Sequence, residues 1–364
     1  MNKSYLEQLD VFRAIAALSV CAVHFSYDTI FHIYFKQALF VQFFFTLSGF
    51  VIYLNYHDQE FNLFKIKNFM IKRFFRLYPL HFFFLIIFSS IELLKYFLSI
   101  NYDFVFNREP FLLNNFSNFF LHLFFLQHYA DKYSFNGPAW SISVEMFLYF
   151  SFAILFFVNK KKYFLVIPTI FTILFLLFLN DIYGAGYSHG AFFSGFYSFS
   201  LGCIFCKIYL KNKKLFKSRL YNVIYFILLT LFFAELFGYK ILFKSSYAFI
   251  YSIFFGLIIY LSCFLNKNFL LYKLFFNNWF IYLGKISYSI YLGHVFVFYF
   301  MNNFLKYIIY PLINTSDYNY VLKLSIFEAH VFTLVAYFLT IILASLTYRY
   351  IETKYYKKLW IISR

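Results

Sequence analysis

The chain is a succession of apolar stretches, each long enough to be a membrane helix, with most charges confined to the segments between them. A helix needs roughly 20 apolar residues to cross the hydrocarbon core of a bilayer. Runs bounded by charges or turn residues predict ten spans, at about 11–31, 38–56, 80–99, 140–158, 163–180, 188–209, 220–237, 247–265, 286–305 and 326–348. Composition closes off the alternatives. Of 364 residues, 63% are hydrophobic and 13% charged, about half the charge of a soluble domain. A soluble enzyme, a secreted disulfide scaffold, a coiled coil and a disordered tail are all excluded. The expected fold is an all-α polytopic integral membrane protein built around a central cavity. One domain over residues 1–364, with no appended soluble domain, is expected.

The net charge of +17 comes from 32 Lys and Arg against 15 Asp and Glu. In such a chain, basic loops mark the cytoplasmic side and attract anionic lipid headgroups, so no nucleic-acid partner is implied. The four cysteines, Cys21, Cys203, Cys206 and Cys263, lie inside apolar runs, which gives neither a disulfide framework nor a closed metal site. No metal is expected.

One apolar segment is ambiguous. Phe111 to Ala130 is long enough to span but carries Asn114, Asn115, Asn118, His122, Gln127 and His128. Charge bias decides how to read it. If the segment does not cross, about 24 Lys and Arg fall on one side and about 8 on the other, the asymmetry expected of a cytoplasmic and an outer face. If it crossed, the later lysine clusters would change sides. It is therefore expected to be an interfacial or re-entrant helix on the outer side, with both termini cytoplasmic.

Ionisable side chains at membrane depth are costly, so each is a functional candidate. Arg13 and His24 lie on one predicted helix, within roughly 20° of the same face and about 16 Å apart along its axis. A cation at the cytoplasmic mouth and an imidazole deep on the same face suit an anionic ligand and proton chemistry. Arg73 and Arg76, three apart in a basic loop at 57–80, would project together and suit a phosphate. Asn136-Gly137-Pro138-Ala139-Trp140-Ser141-Ile142-Ser143-Val144-Glu145 reads as a helix start followed by hydroxyls and a carboxylate at depth. Tyr288, Tyr291 and His294 form a polar stripe on the ninth span.

Taken in order, these segments resemble the acyltransferase 3 family of membrane acyltransferases, which O-acylate envelope and secreted glycans. Leu9-Asp10-Val11-Phe12-Arg13 through His24 is similar to its first-helix signature. Phe43 to Ile52 is similar to its "FFxLSGFxI", and Lys72-Arg73-Phe74-Phe75-Arg76-Leu77-Tyr78-Pro79 to its basic loop. Trp140 to Glu145 resembles "WSLSVE" and Ser287 to His294 resembles "SYSIYLxH". Glu352 stands where the family has a closing acidic motif, although Thr353-Lys354 replaces the usual Lys-Pro.

The resemblance implies a multi-pass protein of the bacterial inner membrane, with acetyl-CoA or another short acyl-CoA as cytoplasmic donor. The acceptor would be a sugar hydroxyl on a cell-surface polysaccharide or its lipid-linked precursor, such as an O-antigen, capsule or exopolysaccharide. Under that reading Arg13, Arg73 and Arg76 bind the CoA phosphates and His24 is the general base or transient acyl carrier. Glu145 orients the sugar or relays the proton. Ser48, Trp140, Ser143, Tyr288, Tyr291 and His294 are candidates for substrate contact or for stabilising the oxyanion. Two alternatives stand beside it: a transporter or channel with intramembrane His and Glu, and an O-acyltransferase acting on a lipid or small-molecule hydroxyl.

Overall fold

A computed structural model of the chain describes residues 6–25, 37–106, 108–129, 134–158, 169–170, 172–174, 187–212, 219–236, 248–265, 272, 276–304 and 325–355. Among them, every regular element is helical. The first helices are α1 (Glu7–His24), α2 (Gln37–Tyr56), α3 (Leu63–Tyr102), α4 (Phe116–Leu123) and α5 (Trp140–Val158). There follow α6 (Tyr187–Asn212), α7 (Arg219–Leu236), α8 (Ala248–Ser262), α9 (Asn278–Lys285), α10 (Ser287–Phe304) and α11 (Ile326–Thr347). Among the described residues, five helices are long and apolar enough to cross a membrane, or six if the bent pair α9 and α10 counts as one span. The span expected at 163–180 lies almost wholly outside the described residues.

The chain packs as two compact units. One comprises Met1–Val23, Ile33–Phe69 and Phe147–Ser287, and the other His24–His32, Met70–Met146 and Tyr288–Arg364.

In the first unit, α2 and α6 pack backbone to backbone. A β-carbon on Gly49 would stand 2.0 Å from the carbonyl oxygen of Phe199, and one on Gly202 1.9 Å from that of Thr46. Only glycine permits this approach, the usual device for joining helices where lipid removes the hydrophobic drive. Cys203 adds a thiol that donates to the Gly49 carbonyl at 3.3 Å.

The second unit shows how such a chain sorts residues without water outside. On α11, Ala329, Thr333, Ala336, Thr340, Ala344 and Thr347 are buried. Phe327, Leu334, Phe338 and Leu346 are exposed. Small residues thus face the protein and large apolar ones face outward, as expected of a helix solvated by lipid. The helix starts where it does because Ser325 and Glu328 form a reciprocal cap: the Ser325 hydroxyl accepts from the Glu328 amide, and the Glu328 carboxylate accepts from that of Ser325 at 2.8 Å.

The basic segment expected to be a loop at 57–80 is helical from Leu63 onward. At 40 residues, α3 is about 60 Å long, twice the thickness of a hydrocarbon core. Charge ends a membrane span without ending a helix. Lys and Arg are good helix formers, and their long stems carry the charge to the headgroups.

The ambiguous segment yields α4, only 8 residues long and so too short to cross. Asn115 caps it by accepting from the Asn118 amide at 2.9 Å. Its polar face, Asn118 and His122, is buried, whereas Phe116, Phe120 and the flanking Phe124 are exposed. Among the described residues, the four non-glycine residues with positive φ are Asp103, Phe111, Phe125 and Phe135. All four fall in the connection between α3 and α5. Left-handed backbone in a bulky residue costs energy, so tertiary contacts hold this stretch against its local preference.

Candidate active site

His24, the last residue of α1, meets His294 on α10. Nδ1 of His24 lies 3.2 Å from Nε2 of His294, with ring centroids 4.8 Å apart. His294 is completely buried and His24 half-buried. Phe25 presents its edge to His294 at 6.5 Å and packs on Tyr337 at 5.2 Å, closing one side of the pair with aromatic carbon.

A second polar knot lies beside it on α10. Tyr291 donates its hydroxyl to the Pro138 carbonyl at 2.9 Å and stands 2.8 Å from the hydroxyl of Ser141. Asn136 donates its side-chain amide to the Leu292 carbonyl at 2.9 Å. The Gly-Pro segment therefore serves as more than a helix start. Its turn, Gly137–Ala139, lacks a side-chain cap, because Asn136 is committed to α10 instead. Three fully buried polar atoms here have no hydrogen-bond partner among the described residues: Oε1 of Gln127, Oδ1 of Asn136 and Oγ of Ser143. An unpaired buried polar atom is costly enough to call for an explanation.

A third cluster sits at the start of α10. Tyr288 donates to the Leu77 carbonyl at 2.7 Å. Ser289 donates to the carboxylate of Glu352, which the Arg76 guanidinium also faces electrostatically. Glu352 ends a π-helical turn, Tyr348–Glu352, that continues α11. Single π-turns of this kind recur at functional sites.

The candidate residues thus divide. The structure joins His24 to His294 and Tyr291 to Ser141, and it sets Arg76 against Glu352. Ser143 is buried two residues along α5 from Ser141, and Glu145 follows half-buried. Trp140 is half-buried, with its ring 6.2 Å from His128. In the other unit, Arg13 is held by Asp10 at 2.6 Å, and Ser48 lies 3.2 Å from the hydroxyl of Tyr149. Arg73 projects from α3, partly exposed.

Two further ionisable side chains of α3, Glu92 and His81, are held by the connection that follows it. Glu92 accepts from Lys95 at 3.0 Å, from the Phe111 amide at 2.9 Å and from Asn114 at 2.9 Å. His81 bonds the His122 carbonyl at 2.9 Å, and His122 in turn contacts Ser134 at 3.1 Å. Both fasten the connection between α3 and α5 along about 16 Å of α3. Glu352 is the functional candidate that sequence underweighted. The signal was its place in the closing motif, obscured by the Thr353-Lys354 departure.

Comparison with known proteins gives the context for these clusters. The acyltransferase 3 family model, described as an acyltransferase domain, matches residues 6–349. Searches of curated proteins and of solved structures returned no match. The match runs from the start of α1 to the end of α11 and takes in the first two clusters and, of the third, every member but Glu352, and an acyltransferase assignment sets the transporter alternative aside. The chain belongs to the acyltransferase 3 family and is a multi-pass membrane acyltransferase that acts on a hydroxyl group.

Proposed function

We propose that the protein transfers an acyl group, acetyl above all, from cytoplasmic acyl-CoA to a sugar hydroxyl. The sugar belongs to a cell-surface polysaccharide or its lipid-linked precursor. The observation that carries this reading is the imidazole pair of His24 and His294. General base catalysis by imidazole is the chemistry that an acceptor hydroxyl needs.

In this reading Arg73 and Arg76 receive the CoA phosphates. The uncharged pantetheine arm carries the thioester toward His24. Guanidinium suits phosphate because it offers two parallel N–H donors. The developing oxyanion is met by a hydroxyl donor, for which Ser143 and Tyr288 are the candidates. Glu145 orients the sugar or relays its proton, and Trp140 supplies an aromatic face. The connection between α3 and α5 is read as re-entrant from the outer side, which brings the Asn136 turn to the depth of α10.

The unpartnered oxygens of Gln127, Asn136 and Ser143 support a hydroxylated acceptor. All three can accept hydrogen bonds, and a sugar supplies O–H donors. Mass spectrometry of envelope polysaccharide from cells with and without the gene tests the proposal. Loss of an O-acyl group from the glycan in the deletion strain is expected. An unchanged glycan, with the acyl group missing from a lipid or small molecule instead, would move the acceptor to that class.

A further inference from the structure

Within the histidine pair, the other partner of His294 decides which ring gives the hydrogen. A backbone carbonyl can only accept. Nδ1 of His294 lies 3.3 Å from the carbonyl oxygen of Ile290, one turn back on α10, so Nδ1 carries a hydrogen. A neutral imidazole has one N–H, which leaves a lone pair on Nε2 of His294. Neutrality follows from its surroundings: the ring is fully buried against Phe25 and Tyr291, where an ion without a counter-charge is expensive. The donor across the 3.2 Å contact is therefore the Nδ1–H of His24. The lone pair of His24 is then on Nε2.

We infer that His294 is a positioning residue that locks His24 in its Nδ1–H tautomer, making Nε2 the nitrogen that takes the proton from the acceptor hydroxyl. The hydrogen bond made by one ring nitrogen sets the state of the other. His294 here plays the part that a carboxylate plays in a serine hydrolase, with an uncharged acceptor in place of an anion.

The inference rests on the acyl-transfer reading, and the step balances without any further reactant. The acceptor O–H gives its proton to Nε2 of His24, and its oxygen forms a bond to the thioester carbonyl carbon. The C–S bond then breaks, and the departing CoA thiolate takes the proton back from Nε2. The hydrogen on Nδ1 never leaves His24, so His294 gains and loses nothing.

The direct test is nitrogen NMR of [15N]histidine-labelled protein in lipid nanodiscs, with His24→Gln used to assign the resonances. The expected result is a protonated Nδ1 and a bare Nε2 on His24. His24 found as the Nε2–H tautomer overturns the inference. This measurement needs no turnover and no variant of His294.

Kinetics of acetyl transfer from acetyl-CoA supply the second readout. His294→Phe fills the site without an acceptor, and kcat should fall by about 10³- to 10⁴-fold, the scale of a lost tautomer. KM for acetyl-CoA should hold. His294→Gln restores an oxygen near the Nε2 position and should recover a substantial part of the rate. Equal losses in the two variants, or a change confined to KM, would reduce His294 to packing. If the wild-type protein neither binds nor consumes acetyl-CoA, the acyl-transfer reading fails, while the NMR result stands on its own.

Discussion

The α2–α6 interface and the polar knots around α10 are two ways of joining helices inside a membrane, and they assign different work to two family motifs. Gly49, within the second-helix motif, exists to let backbones touch: a β-carbon there would overlap the Phe199 carbonyl at 2.0 Å. The motif of α10 does the opposite. Tyr288, Ser289, Tyr291 and His294 each spend a side chain on a named polar partner. Close backbone approach gives rigidity without chemistry. Hydrogen-bonded side chains give less cohesion per contact in lipid, but they place groups that can move protons and bind oxygen.

That contrast predicts responses of different shape. Gly49→Leu should be all-or-none, because backbone cannot yield to a new side chain as a flexible neighbour can. Folded protein recovered by size-exclusion chromatography in detergent should fall to near zero. A well-folded Gly49→Leu protein would mean that α2 and α6 can separate, and the glycine account would be wrong.

The α10 side should respond in graded, separable ways. Arg73→Ala with Arg76→Ala should leave folding intact and raise KM for acetyl-CoA by roughly 10- to 100-fold, the loss of one or two charge-assisted hydrogen bonds. An unchanged KM would return both arginines to membrane orientation alone. Glu352→Gln keeps an oxygen for Ser289 but withdraws the charge facing Arg76. A several-fold change in the same KM is expected, vanishing when Arg76 is already Ala. If the effect persists in that background, Glu352 does not act through Arg76. Smallest is Tyr291→Phe, which removes bonds to Pro138 and Ser141. It should cost about 1–2 kcal/mol of stability, read as a modest drop in detergent melting temperature, with kcat little altered.

Much of this architecture was legible in the sequence, for definable reasons. Long apolar runs fold as helices in lipid, so the helical class followed from pattern. Candidate residues followed from cost: an imidazole at depth, as at His24 or His294, needs a purpose. Partnership did not follow. His24 and His294 are 270 residues apart, and no local pattern tells that one completes the other. The length of α3 was hidden because Lys72, Arg73 and Arg76 read as the edge of a span, whereas the helix runs on through them. The partners of Glu92 and His81 are not legible in sequence because they lie in a connection whose positive-φ residues, Phe111 and Phe135 among them, adopt a shape that propensity argues against.

The claim on which the rest depends is that the imidazole of His24 performs the transfer. The measurement is single-turnover acetyl transfer from acetyl-CoA by wild-type and His24→Ala protein in proteoliposomes, with CoA binding and folded fraction recorded for both. The account predicts a loss on the order of 10³-fold, with binding and folding unchanged. Transfer by His24→Ala at the wild-type rate would contradict it.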